Sequence, residues 1–357
     1  MKNLMLTNRS QKNLISLLML AAVFLGINRL ASAQQQTATI AETVVDGLDH
    51  ATDFSITEDG DIEVIFIAEL GAEHIRRIKG DEDAIVVSGI AVEDDPFESI
   101  AVQAISSNRI LVGVSGISES KQSLRLFDVS ALNLPRDFNE QHLEHTRIFQ
   151  RSLKRVKAIN VLRIFSQQKG LSMVCRLGNA SPSLCDIHLK EGNLERLAEQ
   201  NYEKDLTETA RLSTITVDPM GGYLAALSQY QPQEIVFYRA EGKRMQQFRI
   251  DLENIVSLNF SPTHDRMFAI VSTPKTDDQG DSSADGIYEI LSAGDACRSR
   301  FVMGVNSPQK MKFDASGNAW VLCGPEEEGG DGLLKKITGL DVTPANKISE
   351  EVDSDDN

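Results

Sequence analysis

The sequence predicts an all-β protein: a six-bladed β-propeller with four antiparallel strands in each blade. Three observations predict this fold. A strand–turn–strand pattern recurs six times, further strand-like runs follow each copy, and helical periodicity is nearly absent. A self-similar period of this size indicates a solenoid or a propeller, and four antiparallel strands in each unit favour the propeller.

The repeat is clearest at Lys310–Leu322, KMKFDASGNAWVL, where two strand-like runs flank a tight turn. Aligned on this turn, the other copies give turn positions about 51 residues apart on average. These positions are Gly60, Asn108, Gly170, Gly221, His264 and Gly317. Glycine and asparagine tolerate the left-handed backbone that such turns often need. Seven blades of about 44 residues are the alternative, and the six turns argue against it.

The last repeat supplies three strands before the chain enters a polar tail, so it lacks a fourth. A spare strand, Thr37–Leu48 (TATIAETVVDGL), precedes the first repeat. We expect this N-terminal strand to add to the last blade and close the ring, which hides two sheet edges. The predicted organisation is a signal peptide at 1–33, the propeller at 34–340 and an acidic disordered tail at 341–357.

The first 33 residues have the pattern of a secretory signal. Three basic residues precede the apolar run Leu14–Ile27, and Ala31 and Ala33 then form an A-x-A cleavage pattern. We expect cleavage after Ala33 and export to the periplasm or the cell exterior, with no membrane insertion afterwards. An uncleaved membrane anchor is the alternative, although fourteen apolar residues fall short of the ~20 needed to span a bilayer.

The charge of the chain restricts its partners. All 52 acidic residues follow residue 33, together with 32 of the 36 basic residues, which gives this part a net charge of −20. Such a surface repels phosphate groups, which argues against nucleic acid and anionic lipid as partners. We expect a monomer that binds cations or a basic protein surface.

Acidic loops form a candidate binding face. In a propeller, the loop between the second and third strands of a blade shares a face with the link to the next blade. Three adjacent blades place carboxylates there: Asp277, Asp278, Asp281 and Asp285; Glu326, Glu327, Glu328 and Asp331; and Glu93, Asp94 and Asp95. We expect this acidic loop face to attract cations or a basic partner. Loops that only keep the protein soluble are the alternative, and calcium is a further candidate ligand, although the D-x-[DN]-x-[DN]-G register is lacking.

The four cysteines contain no C-x-x-C pair, which argues against the usual zinc and redox motifs. Cys175 and Cys185 flank a turn-rich stretch that could join them across a hairpin, so Cys175–Cys185 is a candidate disulfide. Cys297–Cys323 is a second candidate pair. Four buried thiols are the alternative to both.

Two segments, DASGNAWVL at 314–322 and TEDGDIEVIF at 57–66, resemble the D-x-x-G-N-(I/A)-(Y/W)-V line of NHL-repeat and gluconolactonase-like six-bladed propellers. The resemblance covers the six turns and implies fold more than activity. It implies, as the alternative function, a metal-dependent gluconolactonase-like hydrolase whose central tunnel holds a divalent metal with acidic and asparagine side chains. Asp53 and Glu98 are the tunnel-mouth candidates. Lys157 and Lys310 occupy equivalent strand starts and oppose a cation, and no asparagine matches, so no metal ligand is carried over.

Catalytic motifs are weak throughout the sequence. Ser118 and Lys121 satisfy S-x-x-K, but that motif needs a helical turn, and these residues lie in a predicted loop. A glycine-rich phosphate loop is also missing from the sequence. We therefore expect an exported, soluble, non-catalytic binding or scaffold module that uses the acidic loop face, with no cofactor and no catalytic residue.

Overall fold

A computed structural model describes the chain in segments. They are 39–90, 99–115, 124–130, 134–139, 146–148, 156–166, 170–177, 182–188, 193–196, 212–218, 223–228, 233–239, 244–262, 266–273, 284–293, 296–325, 327 and 330–340. One compact unit spans Ile40–Asp341. Every regular element in the described segments is a β-strand, and no helix there has the length and apolar character to cross a membrane.

The strands form six sheets, named here by the order of their first strands. Before them in the chain comes β1 (Ile40–Leu48). Sheet 1 contains β2 (Ala51–Asp59), β3 (Ile62–Glu69), β4 (His74–Lys79) and β5 (Glu82–Ser88). Sheet 2 contains β6 (Ser99–Ser106), β7 (Arg109–Ser115), β8 (Leu124–Asp128) and β10 (Thr146–Ile148), while the short β9 (Arg136–Asp137) joins sheet 1. Sheet 3 contains β11 (Val156–Ser166), β12 (Gly170–Leu177), β13 (Pro182–His188) and β14 (Asn193–Arg196).

The remaining sheets follow the same plan. Sheet 4 contains β15 (Leu212–Val217), β16 (Tyr223–Ser228), β17 (Glu234–Arg239) and β18 (Arg244–Arg249). Sheet 5 contains β19 (Ile255–Phe260), β20 (Met267–Val271), β21 (Gly286–Ala293) and β22 (Ala296–Gly304). Sheet 6 contains β23 (Pro308–Phe313), β24 (Ala319–Cys323), β25 (Gly332–Thr338) and, from the start of the unit, β1.

Within each sheet, the strands that follow one another pair antiparallel, which confirms the predicted all-β, antiparallel architecture. The first strands also contact one another from sheet to sheet in chain order, and the first strand of sheet 6 contacts that of sheet 1. The polar space that the first strands line is called the channel below.

Sheet 6 joins the two ends of the compact unit. β1 pairs antiparallel with β25, from Ile40 opposite Thr338 to Leu48 opposite Gly332. A Cβ atom on Gly332 would lie 3.0 Å from the Cys323 carbonyl oxygen and 3.4 Å from that of Leu48. Because three strands approach this closely, glycine is the residue that fits here.

The turn of sheet 6 shows why the repeated hairpin forms. Gly317 has a φ of +84°, a backbone conformation that favours glycine. Asp314 accepts hydrogen bonds from the Asn318 backbone N–H at 2.8 Å, from the Asn318 side-chain amide at 2.8 Å and from the Trp320 indole N–H at 3.1 Å. The sequence DASGNAW thus supplies the turn and its supports locally, as an Asx-type turn does.

The hydrophobic core lies between neighbouring sheets. Val64, Phe66 and Ala68 of β3 pack with β6 and β7 of sheet 2, whereas Ile65 and Ile67 pack with sheet 6. Successive residues of a strand point to opposite faces, so a strand covered on both faces is apolar at nearly every position. This explains the continuous apolar run in β3.

Residues 134–139, which lie between β8 and β10 of sheet 2 in the sequence, reach the outer edge of sheet 1, where β9 pairs in parallel with β5. The Phe138 N–H donates to the Ser88 carbonyl at 2.8 Å, and Arg77 Nη1 donates to the Val129 carbonyl at 3.1 Å. The guanidinium of Arg125 stacks 4.5 Å above the Phe138 ring. The segment therefore ties sheets 1 and 2 together.

An ion-pair triad stabilises sheet 5. Glu289 is 2% exposed, and its Oε1 lies 2.7 Å from Arg266 Nε, while its Oε2 binds Arg300. Arg266 also donates to the Leu340 carbonyl at 3.1 Å. Burial raises the pKa of Glu289, but hydrogen bonds and charges of both arginines outweigh burial, so its pKa lies below its ordinary value.

The cysteine predictions have different outcomes. Cys297 and Cys323 are both buried free thiols, so the candidate disulfide Cys297–Cys323 is wrong. They lie on β22 of sheet 5 and β24 of sheet 6 rather than on paired strands. In sheet 3 the backbone register places Cys175 opposite Ser183, so Cys175 and Cys185 are diagonal neighbours rather than directly opposed. That disulfide stays a prediction.

Candidate functional site

Five of the six first strands present a polar side chain to the channel at one repeated position. These are Ser55 of β2, Gln103 of β6, Thr216 of β15, Asn259 of β19 and Lys312 of β23. Each lies five residues before its turn position in the sequence repeat. The repeat that determines the hairpins therefore also places five polar groups at one level of the channel.

These five side chains line a cavity of about 240 Å³, called the channel pocket below. Its other lining residues are Ile56, Val217, Phe260, Pro262 and Phe313. Most of them follow the polar position directly, so the pocket lies at the end of the channel where the first strands finish and their hairpin turns begin. The pocket thus combines a polar ring with apolar walls.

Lys312 is the charged group of the channel pocket. It is 8% exposed, and its Nζ lies 3.0 Å from Asp53 Oδ1 and donates to the Phe54 carbonyl. Its Nζ also lies 5.3 Å from the centre of the Phe54 ring. Lys310 Nζ lies 3.6 Å from the same Asp53 oxygen. Asp53 is fully buried, so two ammonium groups compensate its charge in place of solvent.

Hydrogen bonds between neighbouring first strands fix several of these groups. Ser55 Oγ accepts from the Ala104 N–H at 2.9 Å and from the Gln103 side-chain amide at 3.1 Å. Thr216 Oγ1 accepts from the Phe260 N–H at 2.9 Å. The polar ring therefore joins adjacent sheets as well as lining the pocket, and its side chains are held in defined positions.

Deeper in the channel the same pattern recurs. Asp53 Oδ2 accepts from the Val102 N–H at 3.0 Å, and Ser257 Oγ accepts from the Met311 N–H at 3.3 Å. The Asn259 side-chain amide donates to Ser257 Oγ at 2.9 Å. Two of these three hydrogen bonds cross a sheet boundary, and all three satisfy buried polar groups.

A second cavity, of about 270 Å³, adjoins the channel pocket where sheets 6 and 1 meet. Ile56 and Phe313 line both cavities. The second cavity is more acidic, because Glu58, Glu63 and Asp314 line it. Two adjoining cavities thus differ in the sign of their charged residues.

The structure separates the two tunnel-mouth candidates. Asp53 lies in the channel, beside the pocket, and it is paired with Lys310. Glu98 and the side chain of Lys157 lie outside what the structure describes. The sequence-based prediction missed the polar ring because it used the residues at the strand starts. Aligning the residue five positions before each turn identifies the ring.

Most of the acidic loop face also lies outside the described residues: Asp277, Asp278, Asp281, Glu326, Glu328, Glu93, Asp94 and Asp95. Of the other three, Glu327 and Asp331 are exposed. Asp285 accepts a hydrogen bond from the Thr273 N–H at 2.6 Å, so it supports its own loop. Binding of a basic partner or calcium at this face stays a prediction.

The channel does not fit a divalent metal held by carboxylates. Among the described residues, no group of three or more histidine, cysteine, aspartate or glutamate side chains is placed to share a metal ion. Asp53 Oδ1 faces two ammonium groups and Oδ2 accepts a backbone hydrogen bond. A cation bound at Asp53 would lie beside Lys312 and be repelled by it.

No family model and no curated protein matches this chain. Several solved structures of other proteins are similar to it. A gluconolactonase from Xanthomonas campestris has a TM-score of 0.57 at 10% identity, over 86% of this chain and 92% of that one. A soluble aldose sugar dehydrogenase from Escherichia coli, in its apo-form, has a TM-score of 0.56 at 12% identity, over 85% of this chain and 100% of that one.

A PQQ-bound aldose sugar dehydrogenase from Streptomyces coelicolor is also similar, with a TM-score of 0.53 at 9% identity, over 84% of this chain and 98% of that one. At identities this low the likeness concerns fold and not activity. The chain is thus a β-propeller, and at the level of fold it resembles the gluconolactonase-like superfamily.

Proposed function

We propose that the six sheets are the six blades of one closed ring, with β1 as the closing strand of the last blade. Two observations support this arrangement: the first strands contact one another in order and from the last sheet to the first, and β1 pairs with β25. Closure in this way leaves no first strand at an open edge of the channel.

We propose that the channel pocket binds a sugar-derived ligand of monosaccharide size. The observation that carries the proposal is the convergence of one polar side chain from each of five first strands on a single cavity. Hydroxyl, amide and ammonium groups suit a ligand rich in hydroxyl groups, and the apolar walls suit its C–H faces. The volume of about 240 Å³ lies below the ~300–1,000 Å³ typical of drug-sized ligands, which favours a small one.

The structural neighbours support this ligand class, since gluconolactonase and aldose sugar dehydrogenase are named for sugar-derived substrates. They favour an enzyme over the non-catalytic scaffold that the acidic loops suggest. The activity we propose is hydrolysis of a sugar lactone. Its electrostatic requirement is a group that stabilises the oxyanion formed when water adds to the carbonyl carbon.

Lys312 is the pocket residue suited to that role, because its ammonium is fixed by Asp53 and the Phe54 carbonyl. The lactone C–O bond breaks as the tetrahedral intermediate collapses. The ring oxygen takes up a proton and becomes a hydroxyl group, while the carbonyl carbon becomes a carboxylate and releases a proton to solvent. Lys312 thus stabilises charge, and water is the nucleophile.

PQQ is a different candidate, suggested by the PQQ-bound neighbour. It is a tricarboxylate quinone, whereas the described lining residues of the channel pocket supply one cation, Lys312. Three carboxylates call for several cationic partners. The residues present therefore do not fit this cofactor.

Hydrolysis of D-glucono-1,5-lactone by the full chain tests the proposal, measured by acid release against the uncatalysed rate. We expect a rate above background that a chelator leaves unchanged, and a lower rate for Lys312→Met. Lys310→Met is the matched control, because Lys310 also pairs with Asp53 but does not line the pocket. A background rate together with no calorimetric binding of a lactone or sugar contradicts the proposal.

A further inference from the structure

The charge in the lining of the channel pocket has one sign, which is positive. Among the described residues that line it, Lys312 is the charged one, and the others are neutral polar or apolar. A ligand in this pocket therefore meets a positive group without a carboxylate in the same lining.

The charges behind the lining reinforce this sign. Lys312 and Lys310 share one carboxylate, that of Asp53, at 3.0 Å and 3.6 Å. These three groups carry two positive charges and one negative charge, and Asp53 is the fully buried member. In a low-dielectric interior the excess positive charge acts strongly over a few ångströms.

The carboxylates of the adjoining second cavity have other surroundings. Asp314 accepts three hydrogen bonds, from the Asn318 and Trp320 groups described above. Glu63 lies 2.5 Å from Lys336 Nζ. Glu58 is exposed, so solvent screens it. These three carboxylates line the second cavity and not the channel pocket.

We propose that the channel pocket is selective for sugar acids, binding a carboxylate-bearing monosaccharide in preference to a neutral or amino sugar. This inference rests on the proposed binding of sugars and names the charge of the ligand. The carboxylate lies towards Lys312, and the hydroxyl groups of the ligand lie along the ring of Ser55, Gln103, Thr216 and Asn259. A charge-assisted hydrogen bond of this kind is stronger than one between neutral groups.

Calorimetric titration of the full chain tests the selectivity with three probes of one ring size: D-glucuronate, methyl β-D-glucoside and D-glucosamine, at constant ionic strength and pH 7. We expect D-glucuronate to bind about tenfold or more tightly than the glucoside, and D-glucosamine to bind most weakly. Lys312→Met should remove the preference and Lys312→Arg should keep it, whereas Lys310→Met should reduce it, because Asp53 then balances the one remaining lysine.

If Lys312→Met fails to fold, Asn259→Asp serves instead. This substitution keeps the side-chain shape and adds a negative charge to the lining, so it should weaken D-glucuronate about tenfold or more relative to the glucoside. Equal affinity for D-glucuronate and the glucoside overturns the proposed selectivity but not the proposed sugar binding. Failure of all three probes to bind overturns the proposed sugar binding as well.

Discussion

The Lys312 ammonium lies 3.0 Å from Asp53 Oδ1, and this ion pair joins sheet 6 to sheet 1. Asp53 also accepts the Val102 N–H, which extends the connection to sheet 2. One buried carboxylate therefore holds three sheets together, although both of its lysines lie more than two hundred residues after it in the sequence.

Replacing this carboxylate should destabilise the fold. In Asp53→Asn, Lys312 and Lys310 lose the group that compensates them, so we expect the free energy of unfolding to fall by about 3–5 kcal/mol. Urea denaturation measures the change. Asp59→Asn is the control, because Asp59 forms an exposed pair with Lys79, for which about 0–1 kcal/mol is expected. An Asp53→Asn effect no larger than the control is incompatible with a structural role of the pair.

The closing strand predicts a sharp difference between two truncations. A chain that begins at residue 39 retains β1, whereas one that begins at residue 49 loses it and leaves β25 without its outer partner. We expect the first to unfold cooperatively like the full chain. The second should lose Val45 and Leu48 from the core beside Trp320, and with them its cooperative transition. Thermal unfolding followed by circular dichroism measures both, and equal stability of the two rules out closure by β1.

The Glu289 triad predicts a pH dependence. Because the folded-state pKa of Glu289 lies below its ordinary value of 4.5, its stabilisation is present above that pH and is lost as the pH falls through the folded-state pKa. Glu289→Gln should therefore cost about 3–5 kcal/mol at pH 7, since Arg266 and Arg300 remain without their carboxylate. The difference from the unchanged chain should shrink as the pH falls below 4.5, in urea denaturation at several pH values.

Asp83→Asn supplies the comparison for Glu289, because Asp83 pairs with Arg76 at the surface. Hydrogen bonding to Arg76 lowers the pKa of Asp83 too, but solvent screens the pair, so a small effect of about 0–1 kcal/mol is expected. A difference for Glu289→Gln that stays constant from pH 7 to pH 3 would argue against this assignment.

The buried thiols predict slow labelling. Burial raises the pKa of Cys297 to about 11, so about one thiol in a thousand is ionised at pH 8. Cys297 and Cys323 should resist a maleimide in the native protein and label fully in denaturant without reductant, as measured by peptide mass spectrometry. A requirement for reductant would instead reveal a disulfide that involves them.

Arg125 predicts a stabilising substitution. It is 3% exposed, and its Nε and Nη1 have no hydrogen-bond partner in the described structure. Burial lowers its pKa, although Asp137 opposes this. Arg125→Met keeps an unbranched side chain over Phe138 and removes the buried donors, so we expect a gain of about 1 kcal/mol or more in urea denaturation. A marked loss of stability would indicate that the guanidinium serves a purpose beyond its stacking on Phe138.

Local chemistry explains what the sequence could predict. The turns at Gly60, Asn108 and Gly317 follow from residues that tolerate a left-handed backbone between two apolar runs, and each separates two paired strands. The strand-like run before each turn also locates the first strand of each sheet. These features depend on a few neighbouring residues, so a single sequence contains them.

The parts that sequence could not predict depend on distant residues. No local pattern relates Lys312 to Asp53, so the pair is visible only when sheet 6 meets sheet 1. The strand β9 has two residues and no periodicity, so its pairing with β5 has no sequence signature. The channel pocket is an intermediate case. The sequence repeat contains its polar positions, five residues before each turn, but the tunnel-mouth candidates were predicted at the strand starts.

The pairing of β1 with β25 has a consequence for how the chain acquires its fold. The first described strand adds to the last described one, with nearly the whole compact unit between them in sequence. Contacts of such separation form late and slowly, because a long loop must close before they contribute. Until β25 is complete, β1 remains an unpaired strand edge open to other chains. Folding of this protein is therefore expected to be post-translational, and a chaperone that covers β1 should raise its yield more than one that binds any internal strand.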